Sequence, residues 1–289
     1  MSDGLVVVDK PAGLTSHDVV ARLRRLLGTR RVGHAGTLDP MATGVLVVGV
    51  GRATRLLGHL QLADKAYDAT IRLGASTSTD DAQGEVTGAS DASALADGAV
   101  RGAVAEFTGE LQQVPSAVSA IKVDGRRAYE RVRAGEHVRL APRPVLVTAF
   151  DVLALRRVDT FIDLDVHVVC STGTYVRALA RDLGESLGVG GHLTRLRRTR
   201  VGPFELGEAA GLDDAPPLLS LAATVRRCFP HIEVDDQQAD HVAHGRALAL
   251  RLPADGPVAL LTGDGAFLAL YEQRGDSARA VAVFAVFAG

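Results

Sequence analysis

The chain opens on an unbroken apolar run, Leu5-Val6-Val7-Val8, and Lys10-Pro11-Ala12-Gly13 stops it. That predicts a short buried strand over 4–9, ended where proline cannot donate and glycine permits a turn. Thr15 or Ser16 then caps a helix in which Val19, Val20, Leu23, Leu26 and Leu27 recur at helical spacing before Gly28 closes it, with the arginines mostly on the other face. Residues 45–50 (VLVVGV) predict a second buried strand. Residues 66–73 alternate, with Tyr67, Ala69, Ile71 and Leu73 on one side and Asp68, Thr70 and Arg72 on the other. A polar loop, STSTDDAQGE, follows. Beyond it the pattern predicts a helix near 98–107, a strand at 116–123 broken by Asp124-Gly125, and an Arg-rich helix at 126–134. Strands at 144–155 and 160–170 come next, then a helix from about 174 to 187 capped by Thr174. Strands and helices mix without regular βα alternation, which favours an α+β domain over a doubly wound sheet.

The pattern changes near 212–217, where Asp213, Asp214, Pro216 and Pro217 interrupt it. After about residue 232 short strands are predicted at 247–252, 257–262, 266–272 and 279–287, separated by Gly, Pro and Asp turns. A large domain over 1–230 and a small β-rich module over 231–289 are therefore expected. No internal repeat is evident.

Composition narrows the class. With 289 residues and 47% hydrophobic content the chain can bury a large core without staples. Cys170 and Cys228 stand alone, with no Cys or His partner at metal-ligand spacing, so neither a disulfide framework nor a zinc site is expected. The start, MSDGLVVVDKP, has no basic region ahead of its apolar run, and no apolar span is long enough for a bilayer. A cytoplasmic, soluble protein is the expectation. Net charge is −2, but the distribution is more informative. Of 32 basic residues only Lys10, Lys65 and Lys122 are lysines, leaving 29 arginines. Arginine's planar fork suits phosphate and stacks on bases. Three groups stand out: Arg22, Arg24, Arg25, Arg30 and Arg31; then Arg126, Arg127, Arg131, Arg133, Arg139 and Arg143; then Arg195, Arg197, Arg198 and Arg200. Any one suits a solvated face; together they point to an anionic partner.

The densest chemistry is Gly33-His34-Ala35-Gly36-Thr37-Leu38-Asp39-Pro40-Met41-Ala42-Thr43-Gly44. Its glycines let backbone approach a ligand closely or adopt positive φ. Pro40 biases Asp39 toward extended backbone, so the carboxylate is presented from a stiff segment. An ordinary aspartate, with a pKa of about 3.9, is ionised at neutral pH and needs no base to act as a nucleophile. From the residues alone, the commoner explanation of such an aspartate is a turn former bonded to a backbone amide. Two other motifs are set aside. Asp163-Leu164-Asp165-Val166 imitates a phosphatase DxD but alternates like a half-exposed strand, and no GK[ST] follows the glycines to make a P-loop.

GHAGTLDPMATG strongly resembles the motif of TruB-type pseudouridine synthases, with Ala35 and Met41 departing from the commonest family residues. Further matches run in the family's order: Asp9-Lys10-Pro11 with Gly13 and Ser16; Lys65-Ala66-Tyr67; Thr77 to Gly84; Pro115-Ser116-Ala117 with Ser119 to Lys122; Ser171 to Arg177; and Gly191-His192-Leu193 leading to Leu196-Arg197-Arg198-Thr199. The resemblance spans nearly all of residues 4–210. It implies an α+β fold with a mixed, mainly antiparallel sheet, and more loosely a PUA-like RNA-binding module at the C-terminal end. It also implies that Asp39 is the nucleophile, Arg177 its charge partner and Tyr67 the aromatic that stacks on an extruded uracil. His34 then contacts RNA in the vacated space, Asp81, Tyr175 and Leu196 belong to the base pocket, and Lys10, Lys122, Arg197 and Arg198 make phosphate or structural contacts. The implied substrate is the T-arm stem-loop of tRNA, modified at position 55 by a monomer without an obligate protein partner. No cofactor or metal is expected, because the isomerisation is redox-neutral. The competing function is a non-catalytic RNA-binding or tRNA-folding protein on the same scaffold.

Overall fold

The apolar run at the N-terminus is buried on both faces, and that double burial organises the molecule. A computed structural model describes residues 3–119, 121–123, 125–128, 131, 136, 140–212 and 216–285. Strand β1 (Gly4–Lys10) leads to helix α1 (Ser16–Leu26), β2 (Val32–Ala35), β3 (Thr43–Val50) and a single turn, α2 (Leu57–Leu60). β4 (Lys65–Leu73), a hairpin of β5 (Ala75–Thr77) and β6 (Val86–Ala89), α3 (Asp97–Glu106) and β7 (Gly109–Gln113) follow. A two-residue hairpin, β8 (Lys122–Val123) and β9 (Arg126–Arg127), precedes the long β10 (Arg143–Val158) and β11 (Phe161–Cys170). Then come α4 (Val176–Ser186), β12 (Gly191–Val201), β13 (Phe204–Glu205), β14 (Leu219–Ser220) and α5 (Leu221–Cys228). The chain closes with β15 (His231–Val234), α6 (Asp236–Ala243), β16 (Val258–Thr262), β17 (Phe267–Arg274) and β18 (Ser277–Val283).

Ten strands form the main sheet in the order β14-β1-β3-β12-β4-β11-β10-β7, with β2 added to β3 and β13 to β12. Its described pairings are antiparallel except β12 with β3, which meet in parallel at Arg197–Thr43 and Arg198–Gly44. The sheet is thus mixed and mainly antiparallel, as expected. A second sheet runs β15-β16-β17-β18, with only β15 and β16 parallel.

Alternation assigns the two faces of β1 and β3. Val6, Val8, Leu46 and Val48 pack in one core with Val19, Val20 and Leu23 of α1. Leu5, Val7, Val45 and Val47 face the other way and share a core with Val225, Ala259, Leu261, Phe267 and Phe284 of the C-terminal part. A strand covered on both sides has no reason to alternate polar and apolar residues, which is why Leu5–Val8 is uninterrupted. Charged clasps span the same seam: Arg52 bonds Asp3 and donates to the Phe284 carbonyl (2.7 Å), and Arg55 donates to the Val283 carbonyl while lying 4.6 Å over the Phe284 ring.

Several expectations change. Thr174 does not cap α4; its hydroxyl turns back to the Ser171 carbonyl, and Tyr175 occupies the cap position. The stretch expected as a strand over 116–123 pairs only at Lys122–Val123, and Arg126–Arg127 are strand rather than helix; most of the remaining 126–134 segment lies outside the described residues. Residues 247–252 form no strand, only a bridge from Leu248 to Ala278. The sequence pattern did not announce β12. Two register shifts along it, between Leu193 and Arg195 and between Arg198 and Arg200, break its alternation, so it reads as a cluster of arginines.

Gly44 sits at the parallel junction with φ +101°, where an added Cβ would lie 2.1 Å from the Arg198 carbonyl oxygen. Gly44→Ala is therefore expected to destabilise the fold by about 3 kcal/mol or more, read as a lowered midpoint in urea.

Candidate active site

Asp39 lies in the loop between β2 and β3, and almost every backbone group around it is gripped from elsewhere. The Ser16 hydroxyl, at the start of α1, accepts from the Leu38 amide (2.8 Å) and donates to the Leu38 carbonyl (3.2 Å). The Gly13 amide donates to the Pro40 carbonyl (2.8 Å). Arg198, from β12, is fully buried and donates to the carbonyls of Val45 (2.7 Å), Thr37 (3.3 Å) and Gly36 (3.2 Å). The loop is over-determined by β1, α1 and β12, so the carboxylate at its tip has a fixed origin.

Arg177, on the first turn of α4, then fixes its direction. The side chain is only 4% exposed, and its fork spans Asp39: Nη2 donates to Oδ1 (3.2 Å) and Nε lies 2.9 Å from Oδ2. The remaining donors reach the carbonyls of Thr79 (2.8 Å) and Val118 (2.9 Å), and Asp81 Oδ2 stands 3.7 Å behind Nε. Two-pronged contact from a buried guanidinium leaves the carboxylate little rotational freedom. Asp39 nonetheless keeps 33% of its side chain open, so it is held from behind and accessible in front.

In front is a cavity of about 300 Å³ whose wall includes Asp39, Arg177, Tyr67, Tyr175, His34 and Leu196. Tyr67 reaches it from β4, between Val168 of β11 and Arg198 of β12, and also packs in the main core with Ile71 and Leu73. Burial pushes its phenol pKa up, partly offset by the neighbouring Arg198, so the ring stays a neutral stacking surface. The backbone of Tyr175 is clamped at both ends by Gln113, which accepts from its amide (2.8 Å) and donates to its carbonyl (3.1 Å), while the Arg143 guanidinium lies 4.9 Å over its ring. His34 meets His17 of α1 edge to face, centroids 5.4 Å apart, at the cavity mouth.

Seven of the residues singled out from the sequence thus converge, Arg198 included; others do not. Lys10 is fully buried, and its ammonium donates to Pro11, Leu14 and Pro40 carbonyls, which uses all three donors and leaves none for a phosphate. Asp81 is not on the cavity wall: it accepts from the Thr79 hydroxyl (2.5 Å) and the Gln83 amide (3.0 Å) and buttresses Arg177. Arg197 pairs with Asp9 (2.6 Å) and bonds the Thr43 hydroxyl (3.1 Å), tying β12 to β1 and β3. The Lys122 side chain lies outside the described residues. The arginine groups divide too. Arg22, Arg24, Arg25, Arg30 and Arg31 are exposed, whereas in the last group only Arg195 is, because Arg198 is interior and Arg200 pairs with Asp64 (2.8 Å). Sequence reasoning gave no role to Gln113, Lys65 or Ser119. For Gln113 no signal existed; the other two lay inside quoted motifs. Among the described residues no group of three or more His, Cys, Asp or Glu is arranged to hold a metal, and no helix is long and apolar enough to cross a membrane.

The chain matches the profile of the TruB family pseudouridylate synthase N-terminal domain over residues 24–176, that of the tRNA pseudouridylate synthase B C-terminal domain over 177–218, and that of the tRNA pseudouridine synthase II C-terminal region over 229–285. It is 59% identical over 276 residues to tRNA pseudouridine synthase B of Corynebacterium aurimucosum, covering 94% of this chain and 93% of that one. With the protein of the same name from Nocardia farcinica it shares 60% identity over 285 residues, 97% and 92% of the two chains. Among solved structures it resembles a chain of an H/ACA RNP bound to a substrate RNA containing 2′-deoxyuridine (TM-score 0.73, 26% identity, 98% of this chain and 85% of that one). It also resembles a chain of a Cbf5-Nop10-Gar1 complex (TM-score 0.73, 27% identity, 98% and 84%).

Lys65, on the cavity wall, donates to the carbonyls of Gln61 (3.0 Å) and Ala63 (2.6 Å). Burial, reinforced by Arg198, pushes its pKa from 10.5 down to about 8. As pH rises through that interval the folded chain releases a proton that the unfolded chain keeps, so the lysine's contribution to stability increases. Urea titrations should therefore show wild type gaining about 1–3 kcal/mol relative to Lys65→Met between about pH 7.5 and 10.

Proposed function

The chain belongs to the TruB family of pseudouridylate synthases and is a tRNA pseudouridine synthase; from that premise we propose that it modifies uridine 55 in the T-arm loop and that the Asp39 carboxylate attacks the extruded nucleotide. The observation that carries this reading is the front-open, back-clamped carboxylate. Arg177 grips both oxygens, yet a third of the Asp39 side chain faces a cavity with an aromatic wall.

The chemistry requires such a place. The glycosidic N1–C1′ bond must break, the base must turn, C5 must bond to C1′, and the C5 hydrogen must leave as a proton while N1 gains one. Those atoms are out of reach in a stacked arm, so the nucleotide is flipped out, at a cost of a few kcal/mol. A loop is where RNA bases splay most readily. Tyr67 offers the base a face, and such stacking contributes roughly 1–3 kcal/mol. Leu196 and Tyr175 complete the base pocket, and His34, at the mouth, contacts the RNA from which the base has left. The exposed arginines of α1 and of the turn after it supply a sequence-independent attraction for phosphate. On this reading residues 1–230 carry the chemistry and residues 231–289 form a second RNA-contacting module.

Release of tritium from C5 of uridine in unmodified tRNA is the direct test. Wild type is expected to release it from a tRNA with uridine 55 but not from one carrying cytidine there, and Asp39→Asn is expected to lose release by at least about a thousandfold while remaining folded at the assay temperature, with a melting temperature lowered by the loss of Arg177's counter-charge. Binding without release by wild type would instead favour the non-catalytic RNA-binding alternative. Affinity for tRNA should fall steeply with salt, roughly tenfold or more from 50 to 200 mM, as phosphate neutralisation releases counterions.

A further inference from the structure

Among the described residues, Ser119 is the one hydroxyl on the cavity wall that is shut off from solvent without a hydrogen-bond partner. The residue is 5% exposed. A buried hydroxyl in that state costs free energy in the empty protein, and native structures rarely keep one unless something else uses it. Ser116, three residues earlier, is also buried and unpartnered, but it does not reach the cavity.

The position of Ser119 points to what uses it. It follows Val118, whose carbonyl accepts from Arg177 Nη2 (2.9 Å), the same nitrogen that donates to Asp39 Oδ1 (3.2 Å). A tight turn, with the Ser119 amide donating to the Ala117 carbonyl (3.1 Å), sets it beside that grip. The charged groups there already have partners, since Asp39 and Arg177 form an ion pair and Lys65 and Arg198 donate to backbone carbonyls, while Tyr67 and Leu196 present surfaces to a planar base. A pyrimidine nucleotide in this space brings polar atoms along its ring edge and a ribose hydroxyl, and a serine can donate to one or accept from the other.

We propose that the Ser119 hydroxyl hydrogen-bonds the extruded nucleotide at the Asp39 site, so that a bond missing from the free protein forms only when the substrate is seated. The inference rests on the assignment of this cavity to the target uridine. It makes the hydroxyl a specificity element, because a site built to bond a polar group discriminates strongly against its loss.

The test compares wild type with Ser119→Ala and Ser119→Cys in single-turnover tritium release and in thermal melting without RNA. Ser119→Ala is expected to lose roughly ten- to a hundredfold in kcat/KM while melting at or above the wild-type temperature, since a buried group without a partner has been removed. Ser119→Cys, isosteric but a weak donor, should fall between them. Affinities for RNA carrying uridine or 2′-deoxyuridine at the target place the bond: effects that fail to add with Ser119→Ala put it on the ribose, and additive effects put it on the base edge. Unchanged release by Ser119→Ala, or release and melting temperature falling together, would overturn the proposal. Asp39→Asn is assayed in parallel. If it is inactive while Ser119→Ala is unaffected, only the serine assignment fails; if it keeps full release, the assignment of the cavity itself fails.

Discussion

The ion pair between Arg177 and Asp39 is the contact on which the rest of the structure converges. It joins the first turn of α4 to a loop 138 residues earlier in the chain, and neither partner would hold its place alone. A buried guanidinium without its carboxylate would be an uncompensated charge, and an aspartate in a loop without its clamp would swing among rotamers. The surroundings secure the pair from both sides. Lys10, Ser16 and Arg198 hold the loop, while Asp81 and the Thr79 and Val118 carbonyls hold the arginine. Lys10 and Arg198 come from β1 and β12, the two strands that flank β3 in the main sheet, so strand order brings both tethers to the loop that leads into β3.

Much of this was legible because the physics was local. The sequence leaves Thr15 or Ser16 as the cap of α1, and the structure has Thr15 in a capping box with Asp18; the apolar positions of β1 and α1 were legible from spacing, while their packing against each other is a tertiary fact. Tyr67 could be placed on an apolar strand face from alternation, and the structure adds that the same face opens onto the cavity. What alternation could not give was which cations face water. Lys10 and Arg198 look in sequence like Arg22 or Arg30, yet they are interior tethers for carbonyls thirty to a hundred and sixty residues away. A long cation becomes a tether only where the fold brings orphan carbonyls to it, which is a property of tertiary structure.

The same limit explains the misplaced elements. β12 was hidden because bulges shift its register twice, and Thr174 looked like a cap because its neighbour Tyr175 has no side chain suited to the task. Asp81 was assigned to the pocket from its motif, but a motif specifies proximity to the chemistry, not which side of Arg177 a carboxylate occupies. Ser119 lay inside a motif that gave it no role; burial without a partner, together with its place on the cavity wall, is what sets it apart from Ser116.

The apolar seam behind β1 and β3 has a mechanical consequence. Leu5 and Val7 touch the same cluster as Leu261 and Phe267, so the second sheet leans on the strands that frame the Asp39 loop. Prising the two sheets apart would wet that cluster and break the Arg52 and Arg55 clasps, which leaves no hinge at which the C-terminal part could swing freely. Among the described residues, a load on the second sheet is therefore passed directly to the strands that frame the Asp39 loop.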